Sequence, residues 1–396
     1  MGKRKEMALN LACKYILRPK RNADKLSDIR WIDCERKAVR EILSTSNNII
    51  QLQIDGKCLY FRQCKRHTEI HQYVASQIEY YYTQLHPELP EDRAFIEKAL
   101  RDKKNFKKFI NMGIKNDNSS GAHHFFAGYG AGSVGLDGMP PAMEERAKDF
   151  VQFIWGELFA YRLNGGLKTG EYQTYNAIRG IATYRMAKLL GLDALIPKTE
   201  YAKICIDGET ALFGTVMEEA AGVFVEKMNG NARRSICTPE LQRALNNLNV
   251  LDVICHEKDH RPGNYAVTVN QGKATSVIAF DNDSPNCFGI GGICFETYIG
   301  CSSWALKGKI NRPYVDEDLA ERIMKVSDKD LKDAVGDLLN KYQVITLKSR
   351  FHKVRKLLEK TPKDRLIPKE MWSEDTIQEE LSGAYGKTYL TKFLKK

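Results

Sequence analysis

The chain has 396 residues, of which 43% are hydrophobic and 28% carry a charge. This composition is typical of a folded globular protein and excludes a disordered or fibrous chain. The sequence contains no apolar run of about eighteen residues, so it predicts no membrane-spanning helix. The 61 basic and 50 acidic side chains leave a net charge of +11, which suits a ligand that carries phosphate.

The first 115 residues are predicted to form a basic helical region that contains one β-hairpin. Apolar side chains recur at helical spacing over residues 33–43, which predicts a helix there. Residues 48–61 are predicted to form the hairpin, with Asp55 and Gly56 as its turn.

A glycine-rich stretch follows after residue 116. It contains a Gly-x-Gly-x-x-Gly pattern formed by Gly130, Gly132 and Gly135. Glycines let backbone N–H groups close on phosphates. A glycine loop or lid that binds nothing explains the pattern equally well, so both readings stay open.

Two helices are predicted next, over residues 142–163 and 172–191, and Gly191 ends the second one. Two or three strands are expected up to Met217. A third helix is predicted over residues 238–254, because Thr-Pro-Glu at its start is typical of an N-cap and a first turn.

A polar loop and a β-hairpin come after this helix. Strands are predicted over residues 265–269 and 275–280, so Asn264 and Asp281 are expected close together at the open end of the hairpin. Asp259 lies in the preceding loop, five residues before Asn264. A carboxylate that orients a hydroxyl, together with an amide and a carboxylate that hold Mg²⁺, is what phosphoryl transfer requires. The alternative is that these side chains only stabilise turns.

Three blocks of the chain, in this order, resemble the atypical branches of the kinase superfamily. The blocks are NAIRGIATYRMAKLLGLDALIPKT (176–199), LFGTVMEEAAG (212–222), and LDVICHEKDHRPGNY (251–265) with VIAFDND (277–283). They are similar to the C-helix, the hinge strand and the catalytic segments of type II phosphatidylinositol 4-kinases, actin-fragmin kinase, HipA-like toxin kinases and secretory-pathway kinases. The similarity covers roughly residues 160–300, and Asp-Asn-Asp replaces the usual Asp-Phe-Gly.

The resemblance implies an α+β, two-lobed, protein-kinase-like fold. A small mixed N-lobe is expected over residues 116–222 and a largely helical C-lobe with the catalytic hairpin over 223–396. Residues 1–115 would form a helical N-terminal extension that contains the hairpin.

The resemblance also implies roles for single residues. Asp259 would be the catalytic carboxylate that orients the hydroxyl nucleophile, and Asn264 and Asp281 would hold the Mg²⁺ that accompanies ATP. The backbone around Met217 and Glu219 would contact adenine.

The cation that contacts the ATP phosphates is expected shortly before the C-helix, where Lys168 is the best-placed residue; Lys168 fits a plain surface turn equally well. The relatives carry a glutamate on the C-helix that pairs with this lysine, whereas this chain has Gly180 at that position. Glu171 or Glu157 would have to substitute, and the departure puts catalytic competence in question.

The implied function is ATP- and Mg²⁺-dependent phosphoryl transfer to a serine or threonine hydroxyl of a protein. Three alternatives stay open: a kinase that acts on an acidic lipid, a nucleotidyl transferase that binds ATP in the reverse orientation, and an impaired pseudokinase or nucleotide-binding scaffold. The basic ends of the chain carry no recognised nucleic-acid motif, which argues against a nucleic-acid partner.

The ten cysteines form no Cys-x-x-Cys pair, which predicts free thiols in a reducing compartment. The charged start of the chain lacks the features of a secretory leader. The expected location is the cytoplasm, or the cytosol of a host if the protein is delivered there.

Overall fold

A computed structural model describes part of the chain, namely residues 29–43, 49–64, 168–169, 172–173, 175–257, 260, 262–282, 288, 314–339, 341–382 and 388–394. The chain divides into two compact units. The first comprises residues 1–25, 65–175 and 290–292, and its described residues include the paired two-residue strands β5 (Lys168–Thr169) and β6 (Tyr172–Gln173). The other described elements lie in the second, larger unit, apart from Tyr175 at the start of one helix, and this unit has an α+β architecture.

A six-stranded mixed sheet forms one part of the larger unit. Its strands, in chain order, are β1 (Arg30–Cys34), β2 (Val39–Leu43), β3 (Ile49–Ile54), β4 (Lys57–Gln63), β7 (Thr199–Ile206) and β8 (Leu212–Glu218). Their order across the sheet is β1-β7-β8-β4-β3-β2. Strand β1 runs parallel to β7 and all other neighbours are antiparallel.

The helix predicted over residues 33–43 is wrong, and with it the helical N-terminal extension over these residues. This segment instead forms the end of β1, a short 3₁₀ turn (Arg36–Ala38) and β2. Pairing of β1 with β7 provides backbone partners and buries Ile32, so tertiary contacts override a weak local helical pattern. The sheet also joins residues 30–63 to residues 199–218, whereas the predicted division at residue 115 separates them.

The predicted hairpin of residues 48–61 is confirmed as β3 and β4. Asp55 and Gly56 form its turn with φ angles of 50° and 75°, the left-handed conformation that a two-residue hairpin turn requires. The sheet buries an apolar core whose members include Leu52, Leu59 and Phe61.

Helix α1 (Tyr175–Leu189) leads into β7. The helix predicted over 172–191 is therefore present, although residues 172–173 form β6. Gly191 follows the helix with a φ of 67°, as expected for a helix stop. A Cβ atom on Gly180 would lie 3.6 Å from Cγ2 of Thr199, so α1 packs against β7 at this position.

A three-stranded sheet forms next to the helices, in the order β11-β10-β9. Its strands are β9 (Val223–Phe224), β10 (Tyr265–Asn270) and β11 (Lys273–Ala279). The predicted second hairpin is confirmed: Tyr265 lies opposite Ala279, and Gln271 and Gly272 make the turn with φ angles of 49° and 76°.

Helix α3 (Pro239–Cys255) packs against β11. Its N-cap is Thr238, whose side chain accepts a hydrogen bond from the N–H of Leu241, as the sequence predicts. The other described helices are α2 (Gly230–Ser235), α4 (Glu317–Lys325), α5 (Asp328–Val335), α6 (Lys341–Glu359), α7 (Glu374–Leu381) and α8 (Tyr389–Phe393). Strands β12 (Val315–Asp316) and β13 (Leu366–Ile367) pair in parallel. Among the described helices, none is both long and apolar enough to cross a membrane.

Candidate functional site

The open end of the β10–β11 hairpin brings Asn264 and Asp281 to the same place on the fold. Asn264 directly precedes β10, and its carbonyl accepts a hydrogen bond of 3.0 Å from the N–H of Phe280. Asp281 is the next residue after Phe280. The local pairing that the sequence predicts for this hairpin therefore holds up to its last residues.

Asp281 has an unusual backbone conformation. Its φ angle is 62°, in the left-handed region, which costs about 1 kcal/mol or more for a residue other than glycine. The residue is exposed, whereas Asn264 is buried. A carboxylate and a side-chain amide are oxygen donors of the kind that Mg²⁺ prefers, so this pair fits the predicted metal.

The loop before the hairpin is anchored at the C-terminal end of α3. His256 ends the helix with a φ angle of 62°. The carbonyl of Ile254 accepts a hydrogen bond of 2.9 Å from Nε of the buried Arg350, and the carbonyl of Cys255 accepts one of 2.7 Å from the N–H of Phe288. These carbonyls would otherwise be buried without partners at the helix end, so the start of the loop is fixed.

His260 anchors the loop a second time. Its ring is fully buried, and Nδ1 lies 2.7 Å from Oδ2 of Asp252 on α3. The Tyr389 hydroxyl on α8 donates to the same oxygen at 2.6 Å. Two donors from different segments therefore converge on one carboxylate oxygen.

The His260 ring carries a positive charge at neutral pH. Burial lowers the pKa of His260, but the charge of Asp252, the hydrogen bond to it, the charge of Glu257 and a hydrogen bond to Asn282 together raise the pKa from 6.5 to about 9. Both ring nitrogens of the charged form are donors, so His260 donates to Asp252.

Asn282 follows Asp281 at the open end of the hairpin. Its side chain is buried and donates from Nδ2 to the carbonyl of Ala279 at 3.0 Å. Asn282 also contributes to the raised pKa of His260. The sequence did not predict that Asp252, Asn282 and Tyr389 belong to the site. The carboxylate of Asp252 within the apolar end of α3 was the available signal, because a buried charge requires partners.

Several predicted site residues lie outside the described residues. These are the catalytic Asp259, the loop glycines Gly130, Gly132 and Gly135, and the substitute acids Glu171 and Glu157. The backbone of Lys168 belongs to β5 in the first unit, and its side chain is outside the described part of the chain. The hairpin thus brings two of the predicted site residues together, Asn264 and Asp281.

The predicted hinge connects the six-stranded sheet to the three-stranded one. Met217 lies near the end of β8, opposite Tyr60 on β4. The N–H of Glu218 donates to the carbonyl of Lys198 at 3.0 Å, and the N–H of Glu219 donates to the carbonyl of Cys58 at 3.1 Å. These two N–H groups have protein partners, so an adenine contact at Glu218 or Glu219 would need their carbonyl oxygens or side chains.

Arg62 on β4 is a basic residue that the sequence did not single out. It lies opposite Thr215 on β8, and Thr215 lies opposite Tyr201 on β7. Paired residues of antiparallel strands share a face of the sheet, as do Tyr201 and Thr199 two residues apart. Since Thr199 contacts α1, Arg62 lies on the face of the sheet that carries α1. This placement depends on the strand order and has no local sequence signal.

Within the residues that the structure describes, no group of three or more His, Cys, Asp or Glu side chains could hold a metal ion. A divalent cation at Asn264 and Asp281 would take further ligands from phosphate and water, as Mg²⁺ usually does. No protein-family model matches the chain, and no curated protein matches it.

Proposed function

We propose that the protein is an ATP- and Mg²⁺-dependent phosphotransferase of the atypical kinase type, and that it acts on a serine or threonine hydroxyl of a protein. The observation that carries this proposal is the pairing at the open end of the hairpin. The hydrogen bond between the N–H of Phe280 and the carbonyl of Asn264 brings the backbone of Asn264 next to the residue that precedes Asp281. They lie next to a loop that is anchored at His260 and contains Asp259.

The proposed roles follow from the chemistry of these side chains. The amide oxygen of Asn264 and the carboxylate of Asp281 hold the metal ion, which when bound neutralises charge on the phosphates. Asp259 accepts a hydrogen bond from the acceptor hydroxyl and orients it toward the terminal phosphate. His260, the residue that follows Asp259 in the sequence, is anchored to Asp252, and positioning accounts for much of phosphoryl-transfer catalysis.

The strand order of the sheet supports the same proposal. Strands β2, β3 and β4 are neighbours, and helix α1 comes between β4 and β7 along the chain. In protein kinases the phosphate-binding lysine lies on the third strand and pairs with a glutamate on the C-helix. Arg62 has the corresponding place on β4, and we assign it, rather than Lys168, to the ATP phosphates.

An arginine in this role is consistent with Gly180, which stands where the kinase relatives carry a glutamate that pairs with the lysine. A guanidinium stays charged without a paired carboxylate and can hold phosphate through two parallel hydrogen bonds. Gly180 itself packs against Thr199, so this turn of α1 has a packing role in place of an ion pair.

The test is label transfer from ATP with Mg²⁺ to a mixture of candidate protein acceptors. Label from the γ-phosphate supports the proposal; label from the α-phosphate instead identifies nucleotidyl transfer. Phosphoinositide vesicles as the acceptor in a parallel reaction separate lipid kinases from protein kinases. Nucleotide binding without transfer of either label identifies a scaffold.

The Asp281→Ala variant should lose about a thousandfold or more of the γ-label transfer, since it removes a charged ligand of the metal ion that would contact the reacting phosphates. Asp55→Ala is the matched control, because Asp55 is also an exposed aspartate with a positive φ angle. For the amide, Asn264→Ala is compared with Asn270→Ala at the closed end of the same hairpin. Near-wild-type transfer by Asp281→Ala would show that the metal assignment is wrong.

A further inference from the structure

The short helix α8 has its own attachment to the larger unit. Its buried side chains are Tyr389, Leu390 and Phe393. The carbonyl of Phe393 accepts a hydrogen bond of 3.4 Å from the buried guanidinium of Arg233, which also donates to the carbonyl of Val225 at 2.9 Å. Helix α8 is therefore held by contacts that do not involve the candidate site.

Tyr389 reaches from this helix to Asp252. Its hydroxyl and Nδ1 of His260 bind the same oxygen, Oδ2, at 2.6 Å and 2.7 Å. Burial and the charge of Asp252 raise the pKa of Tyr389 well above its usual value, so the hydroxyl keeps its proton and remains a donor. All three side chains are nearly inaccessible, so water cannot replace a lost donor without opening the site.

We infer that Tyr389 is a positioning residue of the candidate site: through Asp252 it fixes the His260 ring, and with it the segment that leads to Asn264 at the start of β10. The predicted effect on activity rests on the proposed function. The predicted effect on the position of the loop is independent of it, because the hydrogen bonds exist whatever reaction the protein performs. Networks of buried hydrogen bonds specify one arrangement of the segments that they join.

The loop offers a local reporter of this role. Trypsin can cleave after Lys258, next to Asp259, whereas Arg261 is followed by Pro262 and resists cleavage. The Tyr389→Phe variant removes only the hydroxyl. Cleavage after Lys258 should become about tenfold faster and kcat about tenfold lower, the size expected for one hydrogen bond to a charged group. KM for ATP should stay within about twofold, because no nucleotide contact changes.

Tyr314→Phe is the matched control. The Tyr314 hydroxyl donates to the carboxylate of Glu379 on α7, so this variant also loses a tyrosine–carboxylate hydrogen bond, but one that does not involve Asp252 or His260. It should leave cleavage after Lys258 and kcat near the wild-type values. Equal losses in Tyr314→Phe and Tyr389→Phe would overturn the inference, since they would show a general loss of stability. Unchanged cleavage and kcat in Tyr389→Phe would overturn it as well.

The positioning role can still be tested if the wild-type protein is inactive or if Tyr389→Phe does not fold. If the wild-type protein transfers no label from ATP, the proposed function fails, and the cleavage rate alone decides: faster cleavage in Tyr389→Phe supports the positioning role, and unchanged cleavage overturns it. If Tyr389→Phe does not fold, Asp252→Asn replaces it, because asparagine keeps the shape and one acceptor oxygen. Cleavage after Lys258 should then also be faster, and an unchanged rate would overturn the inference.

Discussion

The six-stranded sheet and the surroundings of helix α3 belong to one compact unit, yet they bury different kinds of side chain. The buried core of the sheet is apolar and includes Ile32, Leu52, Leu59, Phe61 and Val216. Helix α3 buries a series of polar side chains as well: Gln242, Asn246, Asn247, Asn249 and Asp252. Burial of apolar side chains stabilises the fold without requiring a particular contact geometry, whereas each buried polar group requires a hydrogen-bond partner at a defined place. Both regions therefore gain stability from apolar burial, and the region of α3 in addition fixes particular side chains.

The polar interior of α3 also joins distant parts of the chain. Nε2 of Gln242 donates to a carboxylate oxygen of Glu380 at 2.6 Å and to the carbonyl of Thr376 at 2.9 Å, both on α7. The Asp252 carboxylate likewise accepts hydrogen bonds from Tyr389 on α8 and from His260 in the loop. Such contacts position segments relative to one another, which a site needs more than it needs additional stability.

An apolar truncation in the sheet core should lower the stability of the protein. Leu59→Ala removes a side chain that is 1% exposed and should lower the free energy of unfolding by about 3 kcal/mol, because lost burial and a residual cavity add up. The measurement is denaturant unfolding. Leu381→Ala, at a leucine that is 37% exposed, is the control and should stay within about 1 kcal/mol of wild type. Equal losses would show that burial of Leu59 does not stabilise the sheet core.

A pH titration tests the buried polar network at the C-terminal end of α3. The pKa of His260 is about 9 in the folded protein and ordinarily about 6.5 in an unfolded chain. Folding therefore favours the charged ring: its stabilising contribution is complete below about pH 6.5 and is lost as the pH rises through about 9. The free energy of unfolding should fall by on the order of 2–3 kcal/mol across this window.

Replacement of the ring should remove this dependence. His260→Gln is expected to be less stable at pH 6.5 and to show a flatter profile up to pH 9. His352→Gln is the control, because His352 is exposed and pairs with Asp328 at the surface. A wild-type slope in His260→Gln would contradict a charged His260 in the folded protein.

A substitution of Arg62 tests whether the sheet face that carries α1 binds ATP. Arg62→Met keeps much of the side-chain volume and removes the charge, and it should raise KM for ATP about tenfold, as for the loss of a charge-assisted contact to phosphate. Lys168→Met should leave KM near the wild-type value. A larger rise in KM for ATP in Lys168→Met than in Arg62→Met would show that Lys168, not Arg62, contacts the phosphates.

Local signals in the sequence were sufficient wherever an element depends on its own residues. Asp55 and Gly56 define a turn by their backbone preference, and Thr238 and Pro239 define the start of α3. The second hairpin also follows from its turn, which is why the proximity of Asn264 and Asp281 could be predicted.

Long-range contacts account for what the sequence did not disclose. The end of β1 at residues 33–34 is strand because β7 lies beside it, and nothing nearby in the chain indicates this partner. The place of Arg62 depends on the order of six strands. Tyr389 joins Asp252 across 137 positions of the chain, a distance over which no local pattern carries information.

The parallel pairing of β1 with β7 has a consequence for synthesis on the ribosome. Arg30 of β1 contacts Glu200 of β7, 170 positions later in the chain. At typical translation rates, on the order of ten to thirty seconds separate the two strands as they emerge. During this time Ile32, Leu52 and Leu59 lack the β7 and β8 side of their core, so the nascent chain exposes an apolar strand edge that a chaperone could bind.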